Sequence, residues 1–175
     1  MKHLAYGLFL LLGQSGAVPS RWIGTWRLNT QKSTFGAILA PGAPAGLMVL
    51  SQTLRIEMTR QTIRLSGETV VSDGEGSHSG QDDNVLKLDG QPTIAGPVSL
   101  SFRRIDDLAF EIVSKLNIGE QSFREVSRFS FSSDGKTLTE KKTQAGGAAP
   151  GGKDPDESNV IRSSSSVLVF DKMPG

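Results

Sequence analysis

From Gln52 to Phe170 the chain is a run of short segments in which apolar and polar residues alternate with a period of two. Leu54, Ile56 and Met58 share a face of Thr53–Met58, and Thr62–Leu65 continues the pattern after a tight connection. Asn84–Leu88 ends at Asp89-Gly90, and Val98, Leu100 and Phe102 precede the turn Asp106-Asp107. Leu108, Phe110, Ile112 and Leu116 form the next face, ended by Asn117-Ile118-Gly119. Phe123, Phe129 and Phe131 lead into Ser133-Asp134-Gly135-Lys136, and Thr137–Gln144 and Ser165–Phe170 complete the set. A period of two sends successive side chains to opposite faces of a strand, and Asp-Gly and Asn-x-Gly breaks supply hairpin turns. The pattern predicts an all-β chain of eight or nine antiparallel strands with no amphipathic helix. Strands at this spacing suit an up-and-down barrel, because closure removes the exposed edges of an open sheet.

Two segments break the rhythm. Gly36–Leu50 is apolar yet rich in glycine and proline, which exclude a regular helix or central strand. It reads as a packed surface loop, or as the start of the second strand at Leu47–Leu50, or as a lid over a barrel mouth, carried by Ile38, Leu39, Leu47 and Met48. Ala145–Asn159, rich in Gly, Ala and Pro and then acidic, reads as a hairpin tip.

With 175 residues the chain has the length of one domain. Residues 1–17 read as a secretory signal: Lys2 and His3 precede the apolar run Leu4–Leu12, and Ser15-Gly16-Ala17 offers small residues for cleavage after Ala17, with Ser20 as the alternative. The run is too short to span a bilayer. The expected mature domain is 18–175, secreted or periplasmic, with no membrane span. Removing Lys2 from the 19 basic residues leaves them equal to the 18 acidic ones, a balance that argues against nucleic acid or an anionic membrane as partner. The chain has no cysteine, so the domain must be held by its own core.

Catalytic and metal chemistry finds little support. His78, the only histidine outside the leader, lies in Asp73–Gly80, a stretch that reads as a solvated loop. Asp73, Glu75, Asp82 and Asp83, and then Asp154, Asp156 and Glu157, read as turn carboxylates without the spacing of a calcium loop. Arg103, Arg104, Arg124, Arg128, Lys141 and Lys142 read as a mixed-charge exterior opposite the apolar faces. No cofactor and no metal are expected.

Trp22-Ile23-Gly24-Thr25-Trp26-Arg27-Leu28-Asn29, followed by Lys32-Ser33 and Phe35, resembles the opening of small secreted bacterial lipocalin-like proteins. The resemblance continues through Phe102–Asp107 with Phe110-Glu111, Ser133–Thr139, and Val169-Phe170-Asp171-Lys172, in the expected order. It implies a lipocalin-like (calycin-type) barrel plugged by Trp26 beside Gly24, with a basic residue, Arg162 or Lys172, over the indole. No residues remain for the usual C-terminal helix, and no activity carries over.

The function expected first is a non-enzymatic barrel binding a small apolar or amphipathic molecule. Its candidate contacts are Phe102, Phe110, Phe123, Phe129 and Phe131 inside, with Ile38, Leu39, Leu47 and Met48 above. A barrel of about eight strands is just wide enough either to be filled by its own side chains or to hold one small ligand. The alternative is therefore a solid-cored structural or protein-interaction barrel of the cell envelope. An enzyme is the weakest reading, and strand parity makes Glu125 and Arg104 its candidate inward groups.

Overall fold

The computed structural model describes residues 19–36, 47–118, 121–148 and 162–175. A short 3-10 turn, Ser20–Trp22, leads into β1 (Gly24–Leu28), then β2 (Met48–Met58), β3 (Thr62–Ser72), β4 (Ser77–Lys87) and β5 (Thr93–Ala95). There follow β6 (Val98–Arg104), β7 (Ala109–Ile118), β8 (Gln121–Phe131), β9 (Thr137–Ala148) and β10 (Arg162–Lys172). The strands run in the order β4-β3-β2-β1-β10-β9-β8-β7-β6-β5, and each adjacent pair is antiparallel. The chain is thus a meander in which β1 docks on β10. β4 touches β5 and β6 without a ladder between them, so the all-β barrel is nearly closed, with one unzipped seam.

The ten strands among the described residues exceed the expected eight or nine; β5 is the addition, and β4 begins well ahead of the expected Asn84–Leu88 segment. Ser77–Asp83 carries no large apolar residue and reads as loop, yet it pairs residue for residue with Ser72–Ser66 of β3. Backbone pairing specifies it. Its charges suit an unladdered edge, which resists joining other chains when it is polar. The loop read at Asp73–Gly80 shrinks to a hairpin turn, in which Asp73 Oδ1 accepts the Glu75 and Gly76 N–H groups at 2.9 Å each. These two N–H groups, with His78 Nε2 at 2.9 Å from Asp73 Oδ2, hold the Asp73 carboxyl down at about 2.

Met48–Leu50 begins β2, with a register shift between Val49 and Ser51. Part of the expected lid is therefore strand. Ile38 and Leu39, the expected leader, and most of the expected Ala145–Asn159 tip lie outside the described residues.

The core concentrates at one end of the barrel. Trp22, Trp26, Ile56, Ile63, Leu86, Phe110, Leu138 and Phe170 are almost wholly buried. Trp22 packs on Phe110 at 4.9 Å between ring centroids, stacks on Phe131 at 5.7 Å and meets Phe102 at 6.5 Å. Phe131 also meets Trp26 edge-on at 5.5 Å. Gly24 opens β1 with φ +142°, and a Cβ there would lie 2.9 Å from Lys172 Cε. The glycine gives way to a side chain, allowing Lys172 to cross β1 and set its Nζ 5.1 Å from the centre of the Trp26 ring. Trp26 and Lys172 are direct partners in the β1–β10 ladder. Arg162, the other sequence candidate, pairs with Gly146 at the far end of the same strand.

The segment after β1 folds back along β10. Asn29 Nδ2 donates to Asp171 at 2.7 Å, Lys32 reaches the same carboxylate at 3.4 Å, and Ser33 Oγ accepts the Val169 N–H at 2.9 Å. Thr34 then bridges to Val167. The Asn-x-x-Lys-Ser spacing thus has a local cause: it zips the exit of β1 onto the last strand.

Candidate ligand-binding cavity

Above the aromatic end the inward residues change character. On β8 the inward series from the closed end runs Phe131, Phe129, Ser127, Glu125, Phe123, and on β9 it runs Leu138, Glu140, Lys142, Gln144, Gly146, each facing its partner across the ladder. The apolar rung of Phe131 and Leu138 and the mixed rung of Phe129 and Glu140 thus give way to rungs of serine with ammonium and carboxylate with amide. The polar rungs border a cavity of about 320 Å³. Its apolar lining includes Leu54, Leu65, Leu86, Leu100, Ile112 and Phe129, and its polar lining Gln52, Asp82, Glu125, Ser127, Glu140 and Lys142. Asp82, Asn84 and Leu86 of β4 face Val98 and Leu100 of β6 across this space, so it spans the unzipped seam.

Two smaller volumes adjoin it. One, of about 280 Å³, shares Gln52, Thr69, Asp82 and Lys142 with the first and continues past Val49, Val71, Ser166 and Leu168 to Phe35 and Leu47. The other, of about 150 Å³, shares Ser114 and Glu125 and adds Leu116, Phe123 and Gln144. The three meet at the polar band.

The electrostatics of the band follow from burial. Burial pushes the Glu140 carboxyl up; Lys142, 3.5 Å away, and the Ser127 hydroxyl pull it partly back. Glu140 holds the Lys142 ammonium above its ordinary value, and the Glu125 and Asp82 carboxylates add to that effect. Glu125 is oriented by neutral donors, the Gln144 amide at 2.6 Å and the Ser127 hydroxyl at 3.3 Å. No buried side-chain polar atom among the described residues lacks a hydrogen-bond partner.

The sequence-expected contacts divide between two places. Phe129 lines the main cavity and Phe123 the smallest one. Phe102, Phe110 and Phe131 belong instead to the aromatic stack around Trp22, where ring–ring packing leaves no room for a ligand. Leu47 lines the outer volume, whereas Met48 is 63% exposed, on the outside of the barrel. Glu125 is an inward group as its parity implies. Arg104 is spent at the closed end, 5.7 Å over the Trp22 ring and 2.5 Å from Asp107. Lys142, expected on the exterior, is inward, while Arg103 and Arg128 do lie outside, flanking Glu111. Asp82 borders the cavity through the polar first half of β4, ahead of the Asn84–Leu88 segment that the sequence pattern marks as strand. The signal for the polar band was present: counting by two from Leu138 puts Glu140, Lys142 and Gln144 on the core side.

No family model matches the chain, and no curated protein matches it. Among solved structures it is similar to EF1p2_mFAP2b bound to DFHBI, with a TM-score of 0.42 and 8% sequence identity over 89% of this chain and 97% of that one.

Proposed function

We propose that this chain is a non-enzymatic, lipocalin-like barrel that binds a small amphipathic molecule in its interior. The observation that carries the reading is the cavity of about 320 Å³ lined by both aliphatic side chains and hydrogen-bonding groups. Its volume stands at the low end of the ~300–1,000 Å³ typical of small-molecule sites. It is many times the ~10–15 Å³ that one water needs, which speaks against the solid-cored structural barrel. Mixed lining is what such sites use: apolar area for affinity and a few placed polar groups for orientation. The same reading takes residues 1–17 as a leader and the domain as secreted or periplasmic. N-terminal sequencing of the exported protein tests that part and should find Val18 first.

The binding test is calorimetric titration with 1-octanol, a neutral probe of suitable size. Saturable one-site binding is expected. Ser114→Phe, which projects a ring into the two volumes that Ser114 borders, should weaken it about tenfold or more while the far-ultraviolet circular dichroism is unchanged. Absence of any saturable binding up to the solubility limit overturns the reading.

A further inference from the structure

We propose that the cavity selects amphiphiles with a cationic head, a protonated alkylamine type, over those with a carboxylate head. This rests on the interior being a binding cavity. Among the described residues lining it, three carboxylates arrive from three strands: Asp82 on β4, Glu125 on β8 and Glu140 on β9. They face one ammonium, Lys142. Lys142 stands 3.5 Å from Glu140, so the group that would receive an anionic head already has an anion beside it. Protonating Glu140 would still leave Asp82 and Glu125 against a single cation. The excess is negative in either state.

Glu125 is placed to use that excess. It borders both the main cavity and the small volume beside it. Its oxygens are held by an amide and a hydroxyl, so among the described residues its charge is oriented by neutral donors. A carboxylate can accept further hydrogen bonds, since its two oxygens offer about four lone-pair sites. An ammonium head there would make a charge-assisted bond, stronger than its neutral counterpart. The alkyl chain would lie on Leu54, Leu65, Leu100 and Ile112, which line the same cavity. A carboxylate head in the same pose meets like charge in a setting screened less than the surface.

Matched probes separate the head-group preference from binding itself. Octylammonium, 1-octanol and octanoate are titrated calorimetrically at pH 7. Octylammonium is expected to bind about tenfold or more tightly than octanoate, with octanol between them. Glu125→Gln, nearly isosteric, should lower the octylammonium-to-octanol affinity ratio about fivefold or more, a readout that a merely structural loss would not move. Octanoate binding as tightly as octylammonium overturns the inference and leaves the binding barrel standing. So does an unchanged ratio in Glu125→Gln. Failure of all three probes to bind overturns the cavity reading and this inference together.

Discussion

Replacing Trp22 with alanine is expected to damage the barrel at least as much as replacing Trp26, the tryptophan that the Gly-x-Trp pattern singles out. Both are buried, at 1% and 0% exposure. Their surroundings differ. Trp22 touches the rings of Phe102, Phe110 and Phe131, donates its indole N–H to the Asp107 carbonyl at 3.0 Å, and lies under the Arg104 guanidinium. Trp26 has Phe131 as its ring partner, Lys172 as its cation, and a longer hydrogen bond of 3.4 Å to the Trp22 carbonyl. Truncating a buried tryptophan costs ~3–5 kcal/mol, and an aromatic pair is worth ~0.5–1.5 kcal/mol beyond its buried area. Three lost pairs against one put Trp22→Ala near the top of the range, about 5 kcal/mol, and Trp26→Ala about 1 kcal/mol lower. A typical domain has only ~5–15 kcal/mol to lose. Urea melts followed by far-ultraviolet circular dichroism measure both, because fluorescence would lose one of its two indoles in each variant. A cost for Trp22→Ala below about 2 kcal/mol, under the range for a core tryptophan, refutes the argument. Trp26→Ala proving clearly the more damaging also refutes it. Since both rings contact Phe131, the double variant should depart from additivity by about 0.5 kcal/mol or more.

Gly67 in β3 has no room for a side chain, since a Cβ there would lie 2.1 Å from the Thr53 carbonyl oxygen. Gly67→Ala should cost about 1–3 kcal/mol as overpacking, whereas Gly80→Ala in β4, with nothing within 4 Å, should leave the urea midpoint nearly unchanged; equal effects would contradict the structure. Lys172→Met keeps most of the stem across Gly24 and removes the charge over Trp26, so it should cost about 0.5–1 kcal/mol, and no loss in a melt means the cation contributes nothing. Glu140 gives a pH test with a definite sign. Its folded-state value lies above the ordinary 4.5, so the folded chain binds the proton more tightly than the unfolded chain. The parent should therefore lose stability relative to Glu140→Gln as pH rises from 4.5 through that raised value, and a relative gain over this window would contradict the assignment. Asp73 works the other way: its contribution is present above the ordinary 3.8 and is lost as pH falls toward about 2, so Asp73→Asn should flatten the acid limb of the parent's melting profile.

How much the sequence disclosed depended on whether a position carried apolar contrast. The strands that build the packed end were legible because Leu54, Ile56, Phe102, Phe110, Phe129 and Phe131 alternate with polar residues. The first half of β4 was not, because Ser77–Asp83 is polar on both faces and its ladder to β3 is held by backbone groups. The short β5 has only three residues, too few for a period to register. The cavity wall was hidden by a convention rather than by missing information. Polar strand residues are ordinarily placed outside, and that rule is right for Arg103 and Arg128 but wrong for Lys142. The choice between Arg162 and Lys172 needed the register. Trp26 faces Lys172 across the β1–β10 ladder, and no one-strand pattern contains that.

The division of labour within the barrel follows from the same alternation. The inward face of β8 continues the aromatic end for two rungs and that of β9 for one before both become polar. Stability is concentrated in the lower rungs, where Trp22, Phe110 and Phe131 fill the space. The upper rungs are thereby relieved of filling it. Polar groups there do not pack densely against one another, and their hydrogen bonds hold them at the wall. An ionised pair and a second carboxylate would be a poor way to build a core, because the desolvation of buried charges offsets much of their attraction. They are a reasonable way to line a space that admits a polar head group. Filling the upper barrel with apolar side chains, for example Lys142→Met together with Glu140→Leu, should therefore raise thermal stability, since apolar replacement of a buried ion pair is often neutral or stabilising by ~1–4 kcal/mol. The same double variant should weaken octylammonium binding. A variant that melts lower and binds as before would mean that the pair holds the barrel together and takes no part in the cavity's chemistry.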